Sequence, residues 1–147
     1  MKLWKNSSKN QPEKTILFVC VENAGRSQIA EGLFNKYAPE GYRAVSAGTR
    51  PASEINPLAI QAMGEIGIDI SHQKSKILTE DMVRNSIKAV NMGCIDQSEC
   101  PMLFINNVID WQIEDPKGKP IEKLREIRDD IEKRVKEIAE ALPSAGG

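Results

Sequence analysis

The chain has a single histidine and three cysteines in 147 residues. It has no apolar run long enough to span a bilayer, and the opening Met1-Lys2-Leu3-Trp4-Lys5 turns polar before a signal-peptide core could form, so a cytoplasmic protein is expected. In that reducing compartment three thiols make a poor static disulfide framework, and one imidazole gives little support to a zinc site, which leaves thiol chemistry as the better use of the cysteines. Aromatic residues make up only 5% of the chain, too few for a base-stacking surface. Twenty basic residues against twenty-one acidic ones leave a net charge of −1. No global field therefore draws the chain to nucleic acid or to a membrane, although a local positive pocket stays compatible with that balance.

The length suits one domain that buries about two thirds of its unfolded surface. Residues 1–14 are rich in Lys, Asn, Ser and Gln without apolar periodicity and read as a flexible extension, residues 15–142 as the single domain, and residues 143–147 as a flexible tail. Within the domain, strands are expected at Ile16–Val19, Tyr42–Ser46, Ile87–Met92 and Val108–Trp111. Between and after them come helical patterns. One carries Ile29, Ala30, Leu33, Phe34 and Tyr37. A second starts at Asn56-Pro57 and has Gly67 as its C-cap, a third is a short helix capped by Thr79, and the last runs from Pro120 to about Leu142. Strands alternating with helices imply a parallel α/β sheet with ligands at the carboxyl ends of its strands. Cys20, Cys94 and Asp115 all fall at or just after such ends.

The stretch from Ile16 to Ser27 is the one the rest of the chain is organised around. A buried strand gives way to a short loop and a helix start, where unpaired N–H groups and the positive end of the helix dipole can cradle an anion and stabilise a thiolate. Five residues separate Cys20 from Arg26, so the loop Val21, Glu22, Asn23, Ala24, Gly25, Arg26, Ser27 can wrap an oxyanion while the guanidinium fork binds two of its oxygens. Gly25 allows either close backbone approach or positive φ, and Asn23 is the non-glycine type that best tolerates the left-handed region. Ser27 can donate to the sulfur or cap the helix. His72 and Trp111 read as structural residues.

The pattern Cys20-x-x-Asn23-x-x-Arg26-Ser27 after the first strand, with a late Asp115-Pro116, resembles the low-molecular-weight protein tyrosine phosphatase fold family. Its thioredoxin-coupled arsenate reductase branch is the nearer likeness. That likeness rests on Asn23-Ala24-Gly25-Arg26-Ser27-Gln28, Ser46-Ala47-Gly48-Thr49, Gly67-Ile68-Asp69-Ile70-Ser71, Met92-Gly93-Cys94, Cys100-Pro101 and Trp111, within a match that spans nearly all of Thr15 to Leu142. The resemblance implies a three-layer sandwich of flavodoxin-like topology around a four-stranded parallel sheet. It also implies Cys20 as nucleophile, Arg26 as oxyanion clamp, Asn23 and Ser27 as loop stabilisers, Asp115 as general acid, and Cys94 with Cys100 as a redox pair.

By that resemblance the expected activity is reduction of arsenate to arsenite by a monomer that binds no cofactor and draws electrons from thioredoxin or another dithiol protein. A phosphatase that hydrolyses phosphomonoesters through a cysteinyl-phosphate is the alternative, and a non-catalytic oxyanion or redox sensor the third reading. Two positions depart from the pattern. Glu22 stands where such reductases often carry a neutral residue or histidine, and its charge would oppose a bound anion and the thiolate unless it points outward. Some members hold potassium behind the loop through positions that match Asn23, Glu31 and Ser46, but the fourth, acidic position is Lys76 here, whose amine could replace the ion, so no metal is expected.

Overall fold

The computed structural model describes residues 13–93, 98 and 108–143. The described elements run β1 (Lys14–Cys20), α1 (Arg26–Tyr37), β2 (Tyr42–Gly48), α2 (Pro57–Gly64), α3 (Glu80–Asn85), β3 (Ser86–Asn91), β4 (Ile109–Asp110) and α4 (Ile121–Ala141). The strands form one parallel sheet in the order β2-β1-β3-β4, the doubly wound α/β architecture expected from the alternation of strand and helix patterns.

β1 lies inside the sheet and is covered on both faces, which is why its sequence is a continuous apolar run rather than an alternating one. Ile16, Phe18 and Cys20 join a core with Ile29, Leu33 and Phe34 of α1, Ala59 and Met63 of α2, and Leu124, Ile131 and Val135 of α4. Leu17 and Val19 point the other way, to Ala47, Ala89 and Val83 of α3. Ile16, Leu17, Phe18 and Val19 are fully buried. At about 1.5–3 kcal/mol for each such side chain, this makes β1 a rigid post for whatever its end carries.

The helix ends follow local chemistry. Asn56 Oδ1 accepts from Leu58 N at 2.9 Å and Thr79 Oγ1 from Met82 N at 3.2 Å, the two N-caps expected at those residues. At the end of α2, Ile68 N donates to Met63 O and Gly67 N to Gly64 O, both at 3.0 Å, with Gly67 at φ +80°. That pair of bonds is a Schellman motif with Gly67 at its left-handed position, so the glycine closes the helix even though regular α-geometry stops at Gly64. β4 is two residues long rather than four, but Trp111 N still donates to Asn91 O at 2.9 Å and its ring packs on Phe18 at 5.9 Å between centroids. At the far end Tyr42 Oη donates to Pro143 O at 2.7 Å.

Register brings the strand ends together. Cys20 pairs with Gly48 of β2, Val19 with Asn91 of β3, and Asn91 in turn with Asp110 of β4. The loops leaving β1, β2 and β4 therefore meet at one edge. Among the described residues no helix is long and apolar enough to cross a membrane.

Candidate active site

Cys20 ends β1 and is buried, and the chain then turns through residues 21–25 into α1, which begins at Arg26. The carbonyls of this turn are held from outside. Val21 O accepts from Arg50 N at 2.8 Å, Glu22 O from Ala52 N at 2.9 Å and Ala24 O from Asn56 N at 2.8 Å. Asn23 O accepts from Gln28 Nε2 at 2.9 Å and Ser75 Oγ at 2.8 Å. In a planar trans peptide the N–H opposes the C=O, so the amides of Glu22, Asn23, Ala24 and Gly25 point away from these partners.

Asn23 adopts φ +50°, the left-handed conformation its residue type tolerates. Its side chain bonds at both ends. Oδ1 accepts from Lys76 N at 2.9 Å and Nδ2 donates to Ser27 Oγ at 2.7 Å. Ser27 Oγ lies 2.8 Å from Cys20 Sγ, and because the asparagine amide can only donate, the serine hydrogen is left available to the sulfur. Of the two roles open to Ser27, the contact with sulfur is the one observed, since α1 has no side-chain cap. Gln28 is tied down in turn, donating to Lys74 O and accepting from Gln73 Nε2 at 2.7 Å.

Two glycines permit this packing. A Cβ on Gly48 would overlap Val21 O and come within 2.9 Å of both Asn23 N and Cys20 O. A Cβ on Gly25 would meet Pro116 Cγ at 2.8 Å, and Gly25 itself has φ −129°. Of the alternatives for Gly25, close approach is therefore the one realised, and buried Pro116 presses the Asp115 loop onto the anion loop.

Arg26 is buried, with Nη1 donating to Ile113 O at 3.0 Å and Met92 O at 3.4 Å. Its Nη2 lies 3.8 Å from Asp115 Oδ2. Asp115 is exposed and braced by Lys117 N, which donates to Oδ1 at 3.0 Å. Cys20, Arg26 and Asp115 all line one cleft of about 380 Å³, together with Val21, Glu22, Ala24, Gly25, Glu54, Asn56 and Lys117 among others. Among the described residues, none lining it is aromatic.

Glu22 lies at the lip of this cleft, half-buried, where its Oε2 accepts from Lys117 Nζ at 2.9 Å. That hydrogen bond, then the Glu22 charge and more weakly that of Asp115, hold Lys117 above the ordinary lysine range against slight desolvation. Behind the loop, Ser46 Oγ donates to Glu31 Oε1 at 2.5 Å, and Lys76 Nζ is 3.6 Å from the same oxygen. Asn23 Oδ1 accepts from Lys76 N, and Glu31 Oε1 is shared by Ser46 and Lys76.

Cys94 and Cys100 lie outside the described residues. The contributions that sequence reading missed are mostly backbone ones, from Arg50, Ala52, Asn56 and Lys76, with Ser75 and Lys117 adding side chains. Only Gln28 had a signal, as the residue that closes the loop motif.

Residues 15–145 match the family described as low molecular weight phosphotyrosine protein phosphatase. An arsenate reductase of Brevibacillus brevis is 37% identical over 129 residues, covering 87% of this chain and 96% of that protein. A thioredoxin-dependent arsenate reductase of Corynebacterium glutamicum superposes with a TM-score of 0.75 at 38% identity, over 92% of this chain and 65% of that one. An arsenate reductase in its phosphate-binding state gives a TM-score of 0.79 at 30% identity, over 88% and 99% of the two chains.

Proposed function

The chain belongs to the low molecular weight phosphotyrosine protein phosphatase family, and within that family we propose that it reduces arsenate to arsenite through a three-cysteine thiol–disulfide relay recycled by thioredoxin. The observation that carries this reading is the convergence of Cys20, Arg26 and Asp115 on one small cleft lined by residues of the Cys20 loop. The likeness to arsenate reductases along nearly the whole chain supports it.

Arsenate, a tetrahedral oxyanion like phosphate, binds the amides of residues 22–25 and the Arg26 guanidinium. The Cys20 thiolate attacks arsenic, and Asp115 protonates the oxygen that leaves as water. Cys94 then attacks the Cys20 sulfur. The sulfur–arsenic electron pair stays on arsenic, which departs as arsenite, two electrons richer, while two thiols become the Cys20–Cys94 disulfide. Cys100 attacks Cys94 and returns Cys20 to the thiolate. The dithiol of thioredoxin reduces the resulting Cys94–Cys100 disulfide. No metal enters the scheme, and it suits a reducing cytoplasm.

Phosphomonoester hydrolysis is the second activity that Cys20, Arg26 and Asp115 support, since a cysteinyl-phosphate can pass to water. The described lining of the cleft has no aromatic side chain on which a phosphotyrosine ring could stack. One assay separates the readings. With thioredoxin, its reductase and NADPH, the protein is expected to oxidise NADPH only when arsenate is added, and to hydrolyse an aryl phosphate far more slowly. No arsenate-dependent oxidation, beside brisk aryl phosphate hydrolysis, would assign the phosphatase activity instead.

The clamp is tested separately. Arg26→Lys keeps the charge, but it loses the planar fork and the bond to Ile113 O that fixes it. The expected loss is about 10²-fold or more in arsenate kcat/KM, the scale of one oxyanion donor. Parent-like kinetics would remove Arg26 from the proposed site.

A further inference from the structure

The cleft presents a difficulty that its own residues resolve. Among the described residues, its lining carries three carboxylates, on Glu22, Glu54 and Asp115, against two cations, on Arg26 and Lys117, although its proposed ligand is an anion. Asp115 stands beside Arg26, with its Oδ2 3.8 Å from Nη2. Glu22 is a member of the anion loop itself, and it lines the same cleft. The partner facing it comes from the other side of the cleft, Lys117, 95 positions along the chain.

We propose that Lys117 is a charge-compensating residue of the oxyanion site, neutralising Glu22 across the cleft mouth so that an acidic loop position remains compatible with a doubly charged inorganic anion. This rests on the oxyanion reading above and adds a residue to it. The side chains of Lys117 and Glu22 are 71% and 41% exposed, so as a surface pair they contribute little to stability. The pair's consequence lies in the potential at the mouth. Without Lys117 the described lining faces its ligand with three carboxylates and the Arg26 cation.

Titration of the reduced full-length protein with inorganic phosphate, in low salt, tests this. One uncompensated charge at such a partly solvated site should change anion affinity on the order of 3- to 10-fold. Lys117→Met is expected to weaken phosphate binding by that factor, with the penalty shrinking as salt is raised, and Lys117→Arg to bind like the parent. Glu22→Gln alone should bind phosphate more tightly than the parent, because Lys117 is then released toward the anion. The double variant Glu22→Gln/Lys117→Met should recover to within about twofold of the parent, a rescue that a merely structural role for Lys117 would not produce. Parent-like affinity in Lys117→Met, or a double variant as weak as Lys117→Met alone, would overturn the inference and leave the oxyanion reading standing. A parent protein that binds no phosphate would overturn both.

Discussion

Cys20→Ser is expected to abolish arsenate reduction and any aryl phosphate hydrolysis together, by at least about 10³-fold, which corresponds to roughly 4 kcal/mol of barrier. Both reactions start by forming a bond to the Cys20 sulfur, and a serine hydroxyl at that position is hardly ionised at neutral pH. Inorganic phosphate should still bind. The turn that would hold it is fixed by bonds from Arg50, Ala52, Asn56 and Ser75 to its carbonyls and from Lys76 to the Asn23 side chain, and none of these involves the sulfur. The expected result is a folded protein with near-parent phosphate affinity and no turnover. Parent-like turnover would show that another group is the nucleophile, while loss of binding as well would show that the sulfur helps to hold the loop.

Much of this site was legible in residue types and spacing. The run Ile16–Val19 had to be a strand buried on both faces, and Cys20 therefore had to stand at the edge of a rigid sheet. Asn23 was the residue suited to a left-handed turn, and it is found at φ +50°. The spacing to Arg26 placed the guanidinium one helical residue past the loop. Helix caps at Asn56, Gly67 and Thr79 were equally readable, because each uses a side chain or a glycine whose chemistry is particular to that place.

The support of the loop was hidden for the opposite reason. Every residue but proline carries an N–H, so nothing in the letters at Arg50 or Ala52 marks those amides as the ones that hold the loop carbonyls, or at Lys76 as the one that holds Asn23 Oδ1. Gly25 could be read two ways, and what decides between them is the position of Pro116, 91 residues away. Glu22 read alone was an acid opposing its own site. Its partner Lys117 belongs to a different loop, and only the level strand ends bring the two within 2.9 Å. Short β4 was overextended in the sequence reading because Val108 and Trp111 have strand character, although only Ile109–Asp110 form the ladder.

Cys100→Ser tests the relay, which separates a reductase from a phosphatase built on the same loop. With Cys94 as the first resolving thiol, this variant should release about one arsenite per enzyme and then stop, since the disulfide that thioredoxin reduces cannot form. Steady-state turnover with thioredoxin should fall to background, whereas aryl phosphate hydrolysis, which needs only Cys20, should continue unchanged. Cys94→Ser should stop earlier, before arsenite is released. The most direct measurement is peptide mapping of Cys100→Ser after one exposure to arsenate, with free thiols blocked before digestion. A Cys20–Cys94 disulfide in stoichiometric yield with the released arsenite is the predicted result, and a Cys100→Ser enzyme that keeps cycling with thioredoxin and accumulates no such disulfide would contradict the three-cysteine relay.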